Sequence, residues 1–332
     1  MSQDNLIKYE GAVIRQVNNA INVTNKLLTL TEPQLIPYRK GNKWGFCMAD
    51  KKIVIDCIYD NASTFSERMA NVQLNGKHGF INKHGELMID CVYDFALAFS
   101  EGMANVDSNG KCGFINYQGN LIIDCIYDQQ FISFSEGLAF VSLNQNTKFI
   151  NKLGEIIIEN KNILSAFSDG LAVIKLNGKY GYINKESKII IDCVFDHASS
   201  FSEGIAMIVL NGKYGYINRE DKIIIDCVFD HAFSFSEEFA MVRINEKAGF
   251  INKAGELVID YVFDRAMSFS EDLATVKYER RGLWGYIDKN GKLVLDCIYD
   301  LVPRSFSSNI ALVKINGKPG YINKEGTQYW ED

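Results

Sequence analysis

Short apolar runs alternate with clusters of turn-forming residues along most of the chain, and the same order of runs returns every 33 to 36 residues. The register is marked by Gly45-Phe46, Gly79-Phe80, Gly113-Phe114, Gly181-Tyr182, Gly215-Tyr216, Gly249-Phe250, Gly285-Tyr286 and Gly320-Tyr321, with Lys148-Phe149 where the glycine is missing. Upstream of it, Asn75-Gly76, Asn109-Gly110, Asn177-Gly178, Asn211-Gly212 and Asn316-Gly317 read as hairpins, because a type I′ turn needs positive φ at both central residues. Such a turn joins one strand, 70–74, to the next, 79–82, and a second turn at Lys83-His84-Gly85 leads into a third strand, 86–90. Each unit therefore predicts a three-strand meander, with the Tyr-Asp to Phe-Ser segment left to supply a short fourth strand. The third strands are apolar without interruption (Ile189-Ile190-Ile191, Ile223-Ile224-Ile225), which predicts cover on both faces.

The connections carry Phe65, Phe99, Phe134, Phe167, Phe201, Phe235, Phe269 and Phe306 at one register. A large apolar side chain so placed predicts a plug between neighbouring units, worth about 1.5–3 kcal/mol when buried. The alanines that follow, from Ala70 to Ala311, predict strands crowded toward an axis. Aspartates before the cysteine and after the aromatic are expected to accept hydrogen bonds from turn amides in an Asx role. Calcium is the sharper alternative, but the ligand-dense spacing of calcium loops is absent. Six of the eight cysteines (Cys57, Cys91, Cys125, Cys193, Cys227, Cys297) also share one register. Equivalent positions lie about one unit apart, whereas a disulfide needs Cα atoms about 4.4–6.8 Å apart. They are expected to be small, weakly polar core residues, and no CxxC pair supports zinc.

Ahead of the repeats, Val13, Val17, Ala20, Ile21, Thr24, Leu27 and Leu28 recur at helical spacing, which predicts an amphipathic helix over 6–28, ended by Pro33 and Pro37. The chain divides into an N-terminal helical segment, 1–33, and a β-repeat domain, 34–332. The helix either packs on the array or docks a partner. Hydrophobic residues at 47%, charged residues at 23% and only four prolines exclude a mainly disordered chain. The net charge is −6 and the basic residues are dispersed among acids, so no nucleic-acid partner is expected. No run reaches the ~18 apolar residues of a membrane helix, so no membrane partner is expected either. Without an apolar leader, the expected location is cytoplasmic.

Departures from the repeat are candidates for function. Unit four has Lys148 for the glycine and Glu159-Asn160-Lys161-Asn162 for the Asp-Cys-x-Tyr-Asp run; unit eight lengthens its hairpin to Tyr278-Glu279-Arg280-Arg281-Gly282. Tyr278, Arg280, Arg281, Lys161 and Asn162 are the candidate partner-binding residues, since Arg and Tyr are favoured in binding hot spots. Neutral divergence of loop tips is the competing reading. His197 and His231 share a repeat register, which marks them as structural, and no nucleophile elbow, phosphate loop or HExxH motif is present. No catalytic, cofactor-binding or metal-ligating residue is expected.

The full unit resembles the WG-repeat (KWG-repeat) family, bacterial tandem repeats built on a Trp-Gly pair followed by aromatic-Ile-Asp-Lys-x-Gly. The best matches are Lys43-Trp44-Gly45-Phe46 and Leu283-Trp284-Gly285-Tyr286-Ile287-Asp288-Lys289-Asn290-Gly291-Lys292, and the resemblance runs from about Leu35 to the C-terminus. Only two units keep the tryptophan; the others have His78, Cys112, Thr147, Tyr180, Tyr214, Ala248 or Pro319 there. The resemblance implies an all-β, β-propeller-like ring of eight to nine three- to four-stranded units, with an open β superhelical array as the alternative. It also implies interaction roles without shared catalytic residues. The expected function is a non-catalytic protein-interaction scaffold whose partner is another protein. The alternative is a glycan or small-molecule binding module with one pocket per unit, motivated by the repeated Asp-His and aromatic positions. Abundant Ile, Asn and Lys, with the resemblance, point to a bacterial source.

Overall fold

A computed structural model describes residues 34–128, 133–144, 146–280 and 282–332; the helix expected over 6–28 lies outside the described residues. Eight sheets of three or four strands follow one another along the chain and form a β-propeller of eight blades. A two-stranded sheet, Ile310–Ile315 with Lys318–Asn323, stands at the seam. Blades are numbered along the chain from the one holding Ile36–Lys40. In blade 6, His197–Ala198, Ile205–Leu210, Lys213–Asn218 and Ile223–Phe229 lie in that order, each antiparallel to the next. The meander and the short fourth strand thus form as the sequence predicts, and the ring rather than the open array is realised.

The ring closes on residues outside the repeat. Trp330–Glu331 pairs parallel with Ile36–Lys40, bringing the two ends of the domain together. Arg39 is 5% exposed, and its guanidinium donates to Pro319 O at 2.8 Å, Gly41 O at 2.6 Å and Asp332 Oδ1 at 2.9 Å. A cation this buried is tolerated because its donors are matched. Trp44 meets Tyr321 edge-on at 5.9 Å across the same seam.

Between blades the predicted plug is present. The aromatic after the register glycine packs against the connection phenylalanine at every junction, from Phe46–Phe65 to Tyr286–Phe306, with centroids 4.7 to 5.0 Å apart. The serine after each plug donates to the carbonyl of the next plug, from Ser66 to Phe99 O at 2.9 Å through Ser270 to Phe306 O at 2.7 Å. One connection is thereby tied to the next around the ring. The alanines of the following strands are buried without exception, as crowding requires.

The third strands correct the expectation of cover on both faces. Each is the free edge of its sheet, and in Ile189–Phe195 only Ile191 and Phe195 are buried. The reason is an arch. Tyr180 pairs with Phe195 and Tyr182 with Ile191, so four steps of the outer strand pass over two steps of the inner one. Asp192, Cys193 and Val194 bulge across Gly181, and that strand's outward residues meet solvent. The cysteines are accordingly half-buried rather than core residues, apart from Cys47 and Cys112, and all eight are free. Burial pushes the Cys47 thiol up to about 12 and the Cys112 thiol up to about 11, which keeps both protonated.

Candidate functional site

Two belts of carboxylates run around the ring, one at each end of the strands, because both ends carry type I′ turns whose amides face the preceding blade. At the Asn-Gly end, the aspartate after the aromatic binds a lysine of its own blade and a turn amide of the next. Asp196 accepts from Lys179 Nζ at 2.6 Å and Gly212 N at 3.4 Å; Asp230 accepts from Lys213 Nζ at 2.6 Å and Asn245 N at 2.9 Å. Asp60, Asp94, Asp128 and Asp264 repeat the lysine contact. These aspartates accept turn amides as expected, but from the following unit, so they are inter-blade ties and not Asx turns. The local Asx role falls to the Asn of Ile-Asn-Lys: Asn82 Oδ1 accepts from His84 N at 2.9 Å and Glu86 N at 3.0 Å. The aspartates before the cysteines are exposed on the outer edges.

At the other end, the acid of each Phe-Ser-Glu turn caps the next turn. Glu67 accepts from Glu101 N at 2.8 Å and Gly102 N at 3.0 Å, and Glu237 from Asp272 N at 2.9 Å. Lysines of the Ile-Asn-Lys turns complete the contact, as Lys185 Nζ does with Glu136 at 3.0 Å and Lys253 Nζ with Glu203 at 3.0 Å. This second belt is absent from the expectations above, although an acid at one register in seven successive units was its visible signal.

The belts predict the pH dependence of stability. Asp60, Asp94, Asp128, Asp196, Asp230 and Asp264 are held below the usual aspartate range, first by the lysine hydrogen bond. Burial pushes Glu136 and Glu203 up, but lysine and turn amides together bring both below their ordinary value. A carboxyl group depressed in the fold contributes stability that is complete above its unfolded pKa and is lost as pH falls through its folded one. Burial also lowers His78 and His231, so each favours unfolding once the pH drops below their unfolded value near 6.5. Thermal melts should show Tm level from pH 8 to 7, a slight fall below about 6.5, and a steep fall below about 4. A Tm unchanged down to pH 3 would contradict the belts.

Of the residues singled out from sequence, Tyr278 is exposed and packs on Phe263 at 5.1 Å. Arg280 is exposed, and its backbone amide and charge help lower Asp264, so the long loop of blade 8 keeps the belt intact. Lys161 is exposed; Asn162 is half-buried, and its carbonyl accepts from Lys175 N at 2.8 Å. Arg281 lies outside the described residues. The two groups sit on different blades, so the structure does not bring them into one site. His197 and His231 pack, tilted, against Tyr180 and Tyr214 with ring centroids 4.9 and 5.0 Å apart, which gives that register a packing role.

The outer rim repeats most regularly. Val194, Val228 and Val262 are 53%, 54% and 47% exposed at one register, each two residues after an exposed aspartate. Ile58, Val92, Ile126 and Ile298 are also exposed there.

The model of the WG containing repeat matches eight times in tandem, over 44–77, 79–112, 113–146, 149–180, 180–214, 214–247, 249–280 and 284–318. This chain belongs to the WG containing repeat family. The matches track the blades, each running from the start of the register motif through the third strand and plug to the next hairpin. No curated protein matches the chain. Among solved structures, a eukaryotic initiation factor aligns at a TM-score of 0.63 with 12% identity, over 90% of this chain and 95% of that one. Kluyveromyces lactis Hsv2p aligns at 0.46 with 9% identity, over 70% and 93%, and Citrobacter koseri AztD at 0.44 with 12% identity, over 86% and 95%. At such identities the first likeness speaks to the fold alone. A repeat propeller of this kind is a frame for binding, and among the described residues no helix is long and apolar enough to cross a membrane.

Proposed function

We propose that this WG-repeat propeller is a non-catalytic scaffold that binds another protein through its rim. The observation carrying the reading is the ring of free outer edges, which in every blade but the fourth presents an exposed Val or Ile two residues after an exposed aspartate. Soluble proteins rarely leave contiguous apolar surface uncovered without using it, and a free strand edge offers unpaired backbone groups to a partner. The aspartates keep such edges from joining indiscriminately. The repeated-pocket alternative has less support, since His197 and His231 pack against Tyr180 and Tyr214 while Asp196 and Asp230 are engaged by lysines and turn amides.

The test is a pull-down from native lysate with the full chain and with a Val194→Lys, Val228→Lys, Val262→Lys variant that melts like the parent. A stoichiometric protein recovered by the parent and lost by the variant is expected. No stoichiometric partner would overturn the scaffold, and equal capture by both would remove binding from the rim.

A further inference from the structure

We propose that the junction of blades 7 and 8, at the sheet edge opposite the outer rim, holds a phosphoryl dianion between Arg243, Arg265 and Lys277. This site is separate from the rim and does not rest on the scaffold reading.

On blades 2, 3 and 6 the first residue of the first strand lies directly opposite a residue of the second strand, giving the pairs Asn61–Gln73, Phe95–Asp107 and His197–Val209. On blade 7 the pair at this register is His231–Arg243, and on blade 8 it is Arg265–Lys277. Residues directly opposite on antiparallel strands have Cβ atoms about 4.5–5.5 Å apart, and like charges so placed repel. Burial, and then the Arg243 charge, hold His231 below its ordinary value, which eases the pair on blade 7. The pair on blade 8 sets an arginine against a lysine. Two basic pairs at one register on neighbouring blades are a concentration of positive charge in a chain whose net charge is −6.

The two pairs meet around one small residue. His197 and His231 pack on Tyr180 and Tyr214 of the preceding blade. Arg265 holds the same register one blade on, and there the tyrosine position is Ala248. Arg243 is the direct strand partner of Ala248, and Ala248 packs in one cluster with Ala266, the neighbour of Arg265. Register thus brings both arginines to a place where a methyl group replaces a tyrosine ring. Arg243 is half-buried, and its Nε is out of solvent without a hydrogen-bond partner. A buried donor left unmet costs about 1–3 kcal/mol, which an anion beside it recovers. The chain's own acids are engaged elsewhere. Asp230 feels the Arg243 charge but accepts from Lys213 Nζ at 2.6 Å and Asn245 N at 2.9 Å, and Asp264 accepts from Lys247 Nζ at 2.6 Å. Glu246 and Glu279 stand exposed in the hairpin tips. Among the described residues Arg243, Arg265 and Lys277 have no ion pair; Lys277 Nζ lies over the Trp284 ring, 5.7 Å from its centroid. Two guanidinium forks and an ammonium suit a tetrahedral oxyanion of charge about −1.5 to −2 better than a single carboxylate.

The test uses the full chain, ¹⁵N-labelled, titrated at constant ionic strength with inorganic phosphate, methyl phosphate and acetate. A saturable downfield shift of the Arg243 Nε–H signal is expected with phosphate, with one site per chain by calorimetry. Methyl phosphate tells the source: binding as tight as that of phosphate marks a phosphoryl group carried on an ester, and binding of phosphate alone marks the free anion. Arg265→Gln should weaken phosphate binding about tenfold, the worth of one charge-assisted hydrogen bond. Arg265→Lys should recover part of it, and Arg68→Gln on blade 2 should change nothing. The site is refuted if acetate moves the Arg243 signal as far at the same concentration, if neither phosphate nor its ester moves it, or if Arg265→Gln binds phosphate as tightly as the parent.

Discussion

Phe201→Ala should lower stability by about 3–5 kcal/mol, the range for truncating a buried phenylalanine where the surroundings cannot collapse. Phe201 is 1% exposed, lies 4.7 Å from the Tyr182 ring across the junction of blades 5 and 6, and its carbonyl accepts the Ser168 hydroxyl at 2.7 Å. The side chain is lost while the carbonyl stays, so the expected damage is a cavity between two sheets. In a chain of this size the fall in Tm is roughly 4–8 °C. Val194→Ala on the rim, where the side chain is half exposed, is the matched control and should stay within about 0.5 kcal/mol. Calorimetry of both variants decides the matter; a Phe201→Ala melt superimposable on the parent would remove the plug from the account of the fold.

Gly181→Ala should cost about 3 kcal/mol, at the upper end of what overpacking usually does. A Cβ at Gly181 would sit 2.5 Å from Ile191 O and 2.8 Å from the Asp192 carbonyl carbon, both backbone atoms that cannot swing aside. Accommodating it means lifting the arch of the third strand. Blade 4 has already made that change. Lys148 occupies the glycine position, pairs directly with Glu159, and Phe149 pairs with Ile158, so no arch passes over it. Its third strand has four residues where blade 5 has seven. The loss of the glycine and the loss of the Asp-Cys-x-Tyr-Asp run are thus one structural event. Lys148→Ala removes only a partly exposed pair with Glu159 at 3.2 Å and should cost less than about 1 kcal/mol. Denaturant titrations of the two alanine variants should therefore differ by about 2 kcal/mol or more; equal losses would show that the glycine is not required by the arch.

Much of the fold was legible because a repeat places each residue type in the same surroundings many times. The hairpins, the meander, the Phe plugs and the buried alanines all recur in register and were read correctly. The third strands were misread, because an uninterrupted Ile-Ile-Ile run looks alike whether a second sheet covers it or solvent does. Only the arch over Gly181 shows which side chains turn outward. The aspartates after the aromatic were assigned the right donors in kind and the wrong unit. Local spacing cannot tell that the amide reaching Asp196 comes from Gly212 of the next blade. The candidate residues on the long hairpin and at Lys161-Asn162 were visible as departures, but the ring sets them on different blades.

From its sequence alone this chain specifies a repeated unit, its turns, its junction aromatics and its family, all of them properties of neighbours along the chain or of one register compared with itself. Closure belongs to the tertiary structure. Arg39, Pro319, Trp330 and Asp332 occur once each in their roles and carry no periodic mark, and they meet only because eight blades bring residue 39 to residue 332.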